Sequence, residues 1–105
     1  MLTYNPSILD EERFLLYIYT PLCGTCNLAR SILKQIEMAH HKEMFYQMNA
    51  AFYPEFMQQM EIKSVPCLLI QTNHEIQEKI YTFYSVPNIY HYLIKYMPEL
   101  IIEDS

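Results

Sequence analysis

The 105-residue chain contains a single glycine and no tryptophan. Average usage would give it about seven glycines, so a glycine-rich linker or a collagen-like repeat is excluded. There is no basic run. Seven Lys and Arg face twelve Asp and Glu, for a net charge of -5, so neither a phosphate backbone nor an anionic lipid surface is an expected partner. The apolar run FLLYIY (14–19) is too short to span a bilayer. The N-terminal stretch MLTYNPSILDEERF is polar and acidic, unlike a signal peptide, so the expected compartment is the cytoplasm. In that reducing setting three cysteines do not make a structural disulfide framework; they suggest catalysis, metal or inert burial.

What is present reads as one domain over residues 1–105, long enough to bury its own core. Apolar residues make up 51% of the chain, which favours a compact globule. Ten tyrosines and seven methionines suggest an adaptable core and no particular function. SILDEER (7–13) reads as a short helix capped by Ser7. FLLYIYT (14–20), continuous in apolar residues and ended by Pro21, reads as a central strand buried on both faces. From Cys23 to about Lys42 the period changes: Leu28, Ala29, Ile32, Leu33, Ile36 and Ala39 mark one face of a helix. EMFYQMN (43–49) reads as a strand and YPEFMQQMEI (53–62) as a helix with Pro54 in its first turn. PCLLIQT (66–72) and EIQEKIYTF (75–83) form a predicted hairpin around Asn73-His74. VPNIYHYLIKYM (86–97) is a predicted closing helix, ended by Pro98. Strands alternating with helices predict an α/β fold, a mixed sheet with a parallel centre, an antiparallel hairpin at its edge, and helices on both faces.

The lone glycine stands inside TPLCGTCN (20–27), between Cys23 and Cys26. Taken alone, a Cys-x-x-Cys pair leaves three readings open: redox chemistry, half of a metal site, or coincidence. The strand before it and the helix after it favour redox chemistry. Cys23 then sits at a helix N-terminus, where unpaired N–H groups and the helix dipole favour a thiolate and lower its pKa. Cys26, one turn deeper, can close a disulfide with it and is expected to be more buried. Gly24 would let a partner disulfide approach the attacking sulfur and would tolerate the tight turn.

Over nearly its whole length the sequence resembles the thioredoxin family. FLLYIYTPLCGTC resembles the family's buried strand running into its active-site motif, and KSVPCLLIQTNHEI (63–76) resembles the segment that opens the final hairpin. Gln47 to Pro66 fits without a gap, and the motif YTPLCGTC is similar to that of thioredoxin-like proteins of low-GC Gram-positive bacteria. The resemblance implies a thioredoxin-like fold and thiol–disulfide exchange, with Cys23 as nucleophile and Cys26 as the resolving thiol. It implies a cis Val65-Pro66 bond beside them, and a substrate strand meeting Gly24, Thr25, Val65 and Pro66. Disulfide-containing proteins or small thiols are the implied substrates, and a reductase is the implied recycling partner. No metal, no cofactor and a monomeric state are expected.

The departures matter too. The family's tryptophan before the first cysteine is Leu22, its Gly-Pro is Gly24-Thr25, and the basic residue after the second cysteine is Asn27. Its buried acid is Tyr17, its buried lysine is Gln47, and a groove glycine is Thr82. Cys67, beside Pro66, is expected close to Cys23 and is read as a small inward residue at a strand start. A third redox thiol, or a metal ligand with Cys23 and Cys26, are its alternatives. A partner-binding adaptor with idle cysteines is the other competing reading. His40 and His41 read as a solvated helix end, His74 as a turn residue and His91 as a helix-face residue.

Overall fold

The computed structural model describes residues 1–102; the last three residues of the domain expected over 1–105 lie outside the described residues. Five strands form one mixed sheet in the order β1-β3-β2-β4-β5. They are β1 (Leu2–Thr3), β2 (Phe14–Tyr19), β3 (Tyr46–Asn49), β4 (Cys67–Thr72) and β5 (Glu75–Ile80). Strand β2 runs parallel to β3, with Leu16 opposite Tyr46, and antiparallel to β4, with Leu16 opposite Leu69. The antiparallel pairing therefore reaches the middle of the sheet, and only β5 forms that edge. The two-residue β1 extends the parallel side, a segment too short to leave a periodic signal.

The continuous apolar run of β2 resolves into two alternating sets, because successive side chains of a strand point to opposite faces. Leu15 and Tyr17 join Leu33 and Ile36 of α1 (Gly24–His40) and Ile89 and Leu93 of α3 (Val86–Tyr96). Leu16 and Ile18 join Met48, Leu69 and Ile8, with Phe56 and Met57 of α2 (Pro54–Gln59) against them. Two cores on two faces explain why β2 and the Cys67–Ile70 part of β4 are apolar throughout. Residues Leu28 and Ala39, expected in the buried stripe of α1, are exposed, so the stripe is narrower than its periodicity suggested.

Two ends differ from expectation. Asn5, not Ser7, caps the first turn, a 3-10 helix over Pro6–Asp10, by accepting the Ser7 N–H. Pro98 does not merely stop α3; its fixed φ opens a further short helix, α4 (Pro98–Ile102). The β4–β5 turn does fall at Asn73-His74, both left-handed with φ of 53° and 61°, as a two-residue hairpin turn requires. His41 and Glu61 share that conformation, so a chain with one glycine turns its corners with other residues.

Candidate functional site

Pro21 ends β2, and the chain turns into α1 with Cys23 as its N-cap. Cys23 is extended (φ -137°, ψ 108°), and its Sγ accepts the Cys26 backbone N–H at 3.2 Å. A sulfur thus occupies the place where helices ordinarily present a Ser, Thr, Asp or Asn oxygen. The Thr25 hydroxyl lies 3.4 Å from the same sulfur. Cys23 and Cys26 are joined as a disulfide with Cα atoms 5.1 Å apart. Cys23 is half-buried and Cys26 is almost completely enclosed, at 1% exposure. One sulfur is reachable from outside and the other only through the first.

Gly24 is exposed, its φ is not positive, and a Cβ built there would meet nothing within 4 Å. The turn does not need a glycine, which corrects half of its expected role; only open space for an incoming molecule is left as a reason. Leu22, in the place of the family's tryptophan, is fully exposed.

The Val65-Pro66 peptide is cis. Val65 and Pro66 line a shallow cleft of about 240 Å³ together with Thr25, Leu28 and Thr82. The fold therefore brings Thr25 together with Val65 and Pro66, and Gly24 borders this cleft only as the chain neighbour of Thr25. Thr82 places a β-branched side chain in the lining.

Cys67 takes the other direction. It pairs with Ile18 across the β2–β4 ladder, is fully buried, and belongs with Ile18 and Leu69 to the core on the α2 face. Burial pushes its thiol up to about 12, with Lys79 opposing the rise. This is the inward seat at a strand start that the sequence suggested, and it gives Cys67 no shared site with Cys23, since α1 with Cys26 packs on the other face. Among the described residues no three His, Cys, Asp or Glu side chains are grouped closely enough to hold a metal ion.

Sequence reasoning missed what lies beneath Cys26. The Tyr17 hydroxyl donates to the Cys26 carbonyl oxygen at 2.5 Å. Arg30, one turn beyond Cys26 on α1, places its guanidinium carbon 4.5 Å from the Tyr19 ring centroid and 5.7 Å from that of Tyr17. Its Nη1 donates to Gln47 Oε1 at 2.7 Å. Burial pushes the Tyr17 phenol up to about 12, with Arg30 opposing and Tyr19 adding to the rise, so Tyr17 stays a neutral donor. Tyr17 and Tyr19 share a strand face and Arg30 stands four residues after Cys26, but only the sheet brings the two rings beneath the helix. His40, expected in solvent, is half-buried with its Nε2 2.9 Å from the Tyr90 hydroxyl.

The thioredoxin family model matches residues 2–95. A curated relative, the thioredoxin-like protein YusE of Bacillus subtilis (strain 168), is 38% identical over 82 residues, which cover 78% of this chain and 77% of the relative. Helix-capping Cys23, the enclosed Cys26 and the cis proline fall within the matched span, and the chain belongs to the thioredoxin family, a family of thiol–disulfide oxidoreductase type.

Proposed function

We propose that the chain is a cytoplasmic thiol–disulfide oxidoreductase that reduces disulfides with its Cys23–Cys26 dithiol. The Cys23 thiolate attacks one sulfur of a partner disulfide, and the partner's other sulfur leaves as a thiolate. Cys26 then loses its proton and attacks Cys23, forming the Cys23–Cys26 disulfide and releasing the second partner thiol. The partner gains two electrons and two protons, and a reductase or a small thiol returns the dithiol.

The observation that carries this reading is the seat of Cys23, half-buried as the N-cap of α1 with its sulfur against the Cys26 N–H. Helix N–H groups and dipole stabilise negative charge there. The cleft formed by Thr25, Val65 and Pro66 supports docking of an extended disulfide-bearing segment against backbone. In the same reading Gly24 leaves the approach to Cys23 clear.

Trapping tests it. Cys26→Ser should accumulate disulfide-linked partners in a reducing lysate, and Cys23→Ser should accumulate none. A Cys26→Ser variant that captures nothing, under conditions where its Cys23 remains alkylatable, sinks the proposal and leaves an adaptor with idle cysteines.

A further inference from the structure

Resting on that exchange reading, we infer that Arg30 is a positioning residue for its second half: its guanidinium, held one turn beyond Cys26 by Tyr19, Tyr17 and Gln47, stabilises Cys26 as a thiolate while it attacks Cys23.

Positions 17 and 47 hold a neutral phenol and a neutral amide. Neither can take a proton from Cys26 at neutral pH. The charged side chain one helical turn from the resolving cysteine is Arg30. It is half-buried, it lies over two aromatic rings, it donates to a neutral oxygen, and among the described residues it forms no ion pair. Its positive field is therefore not cancelled by a carboxylate. Aromatic faces and a side-chain amide hold a guanidinium in place without neutralising it. Residues four apart on a helix are neighbours, with Cβ atoms roughly 5–6 Å apart, and Tyr17 touches both, its ring under Arg30 and its hydroxyl on the Cys26 carbonyl.

A fixed cation favours the charged form of a nearby thiol. The groups that meet this assembly are few. Helix α1 supplies Cys23, β2 supplies Tyr17 and Tyr19, β3 supplies the non-titrating Gln47, and Phe83 meets the edge of Tyr17 with no charge at all. The guanidinium is always protonated, so in the mixed disulfide the titrating sulfur is that of Cys26. Its proton goes to water, its electron pair forms the bond to the Cys23 sulfur, and the partner sulfur leaves with the electrons of the broken disulfide.

The test uses a chromogenic aryl disulfide, 5,5′-dithiobis(2-nitrobenzoic acid), mixed with the reduced protein in stopped flow. Attack by Cys23 releases one aryl thiolate, and resolution by Cys26 releases the second. For Arg30→Gln the second phase should show its inflection about one pH unit higher than wild type. Tenfold less thiolate, partly offset by greater nucleophilicity at higher pKa, leaves the second phase about threefold slower at neutral pH. The first phase should stay within about twofold. Arg30→Lys should retain most of the rate, and Gln47→Glu, which pairs the guanidinium, should reproduce the upward shift with Arg30 in place. An Arg30→Gln second phase that matches wild type, an Arg30→Lys variant as slow as Arg30→Gln, or a Gln47→Glu profile that does not move overturns the inference. Absence of either phase in the wild-type protein overturns the exchange reading itself.

Discussion

Helix α1 has two ends built on opposite plans. At its start, the Cys26 N–H donates to the Cys23 sulfur, the Thr25 hydroxyl lies against the same sulfur, and Gly24 between them is bare. At its finish, everything is tied down by the chain itself. His41 turns left-handed, and its N–H reaches the Glu37 and Met38 carbonyls. The Glu37 carboxylate accepts the Met44 and Phe45 N–H groups at 2.8 and 3.1 Å and pairs with the Met1 ammonium at 3.1 Å. A capping interaction is worth about 1 kcal/mol, and here the capping atom is a sulfur that is also joined to Cys26. The closed end, with the apolar face between, holds the helix on the sheet while the open end changes its bonding.

The sharpest way to break that division is Glu37→Ala. Glu37 is 7% exposed, and its loss strands two N–H groups and leaves the Met1 ammonium with Glu43 alone, at 3.4 Å. We expect a loss of about 3 kcal/mol in denaturant unfolding, with the alkylation rate of the reduced Cys23 unchanged in the folded variant. A parallel fall in Cys23 reactivity would mean that the two ends are coupled and the division is false.

The open end was the more legible of the two. Cys-Gly-Thr-Cys after an apolar strand and before a 3.6-residue period places a cysteine at a helix start from sequence alone, and β2, α1 and the Asn73-His74 turn followed from pattern. Glu37 was not legible. On the helix wheel it is one more acid beside Ile36, and only the return of the chain at Met44 and Phe45 gives its carboxylate something to hold. Arg30 was missed for the same reason: its partners come from β2 and β3, brought beneath it by the sheet. Cys67 was legible as a small inward residue at a strand start, and alternation along β4 does turn its side chain into the core on the α2 face. Local periodicity reports which face of an element is buried; it does not report what the opposite element brings.

Alkaline solution should also tell the ends apart. Tyr17 and Cys67 lie on neighbouring rungs of the β2–β4 ladder near the open end, and burial raises both, each to about 12. Unfolding lets the thiol ionise from about 9 and the phenol from about 10. Their contribution is complete below those values and is lost as pH rises toward 12, since the unfolded chain then binds fewer protons. Stability should fall by on the order of 2 kcal/mol by about pH 10.5, and Tyr17→Phe should remove part of the slope. A flat profile from pH 8 to 11 would show that neither group is held neutral by the fold.

Smaller effects sharpen the closed end. His41 is exposed and left-handed at φ 54°, a conformation glycine adopts without strain. His41→Gly should gain about 0.5–1 kcal/mol, after the greater freedom of glycine in the unfolded chain is subtracted. A loss instead would show that the histidine ring holds the end closed.

The smallest change in stability belongs to the open end, and it is the most informative about function. Gly24 is the first residue of α1, with no left-handed φ and no neighbour that a Cβ would strike. Alanine is the better helix former, but less so at a first position than in an interior, so Gly24→Ala should change stability by no more than about 0.5 kcal/mol, in the favourable direction. A small alkylating reagent should still reach Cys23 at the wild-type rate. A folded protein disulfide, which in the proposed exchange lays backbone against that bare position, should react about fivefold more slowly if the methyl group costs about 1 kcal/mol of approach. Equal rates for the small and the large reagent would mean that the glycine leaves room for nothing, and that partners reach the sulfur from the Val65-Pro66 side alone.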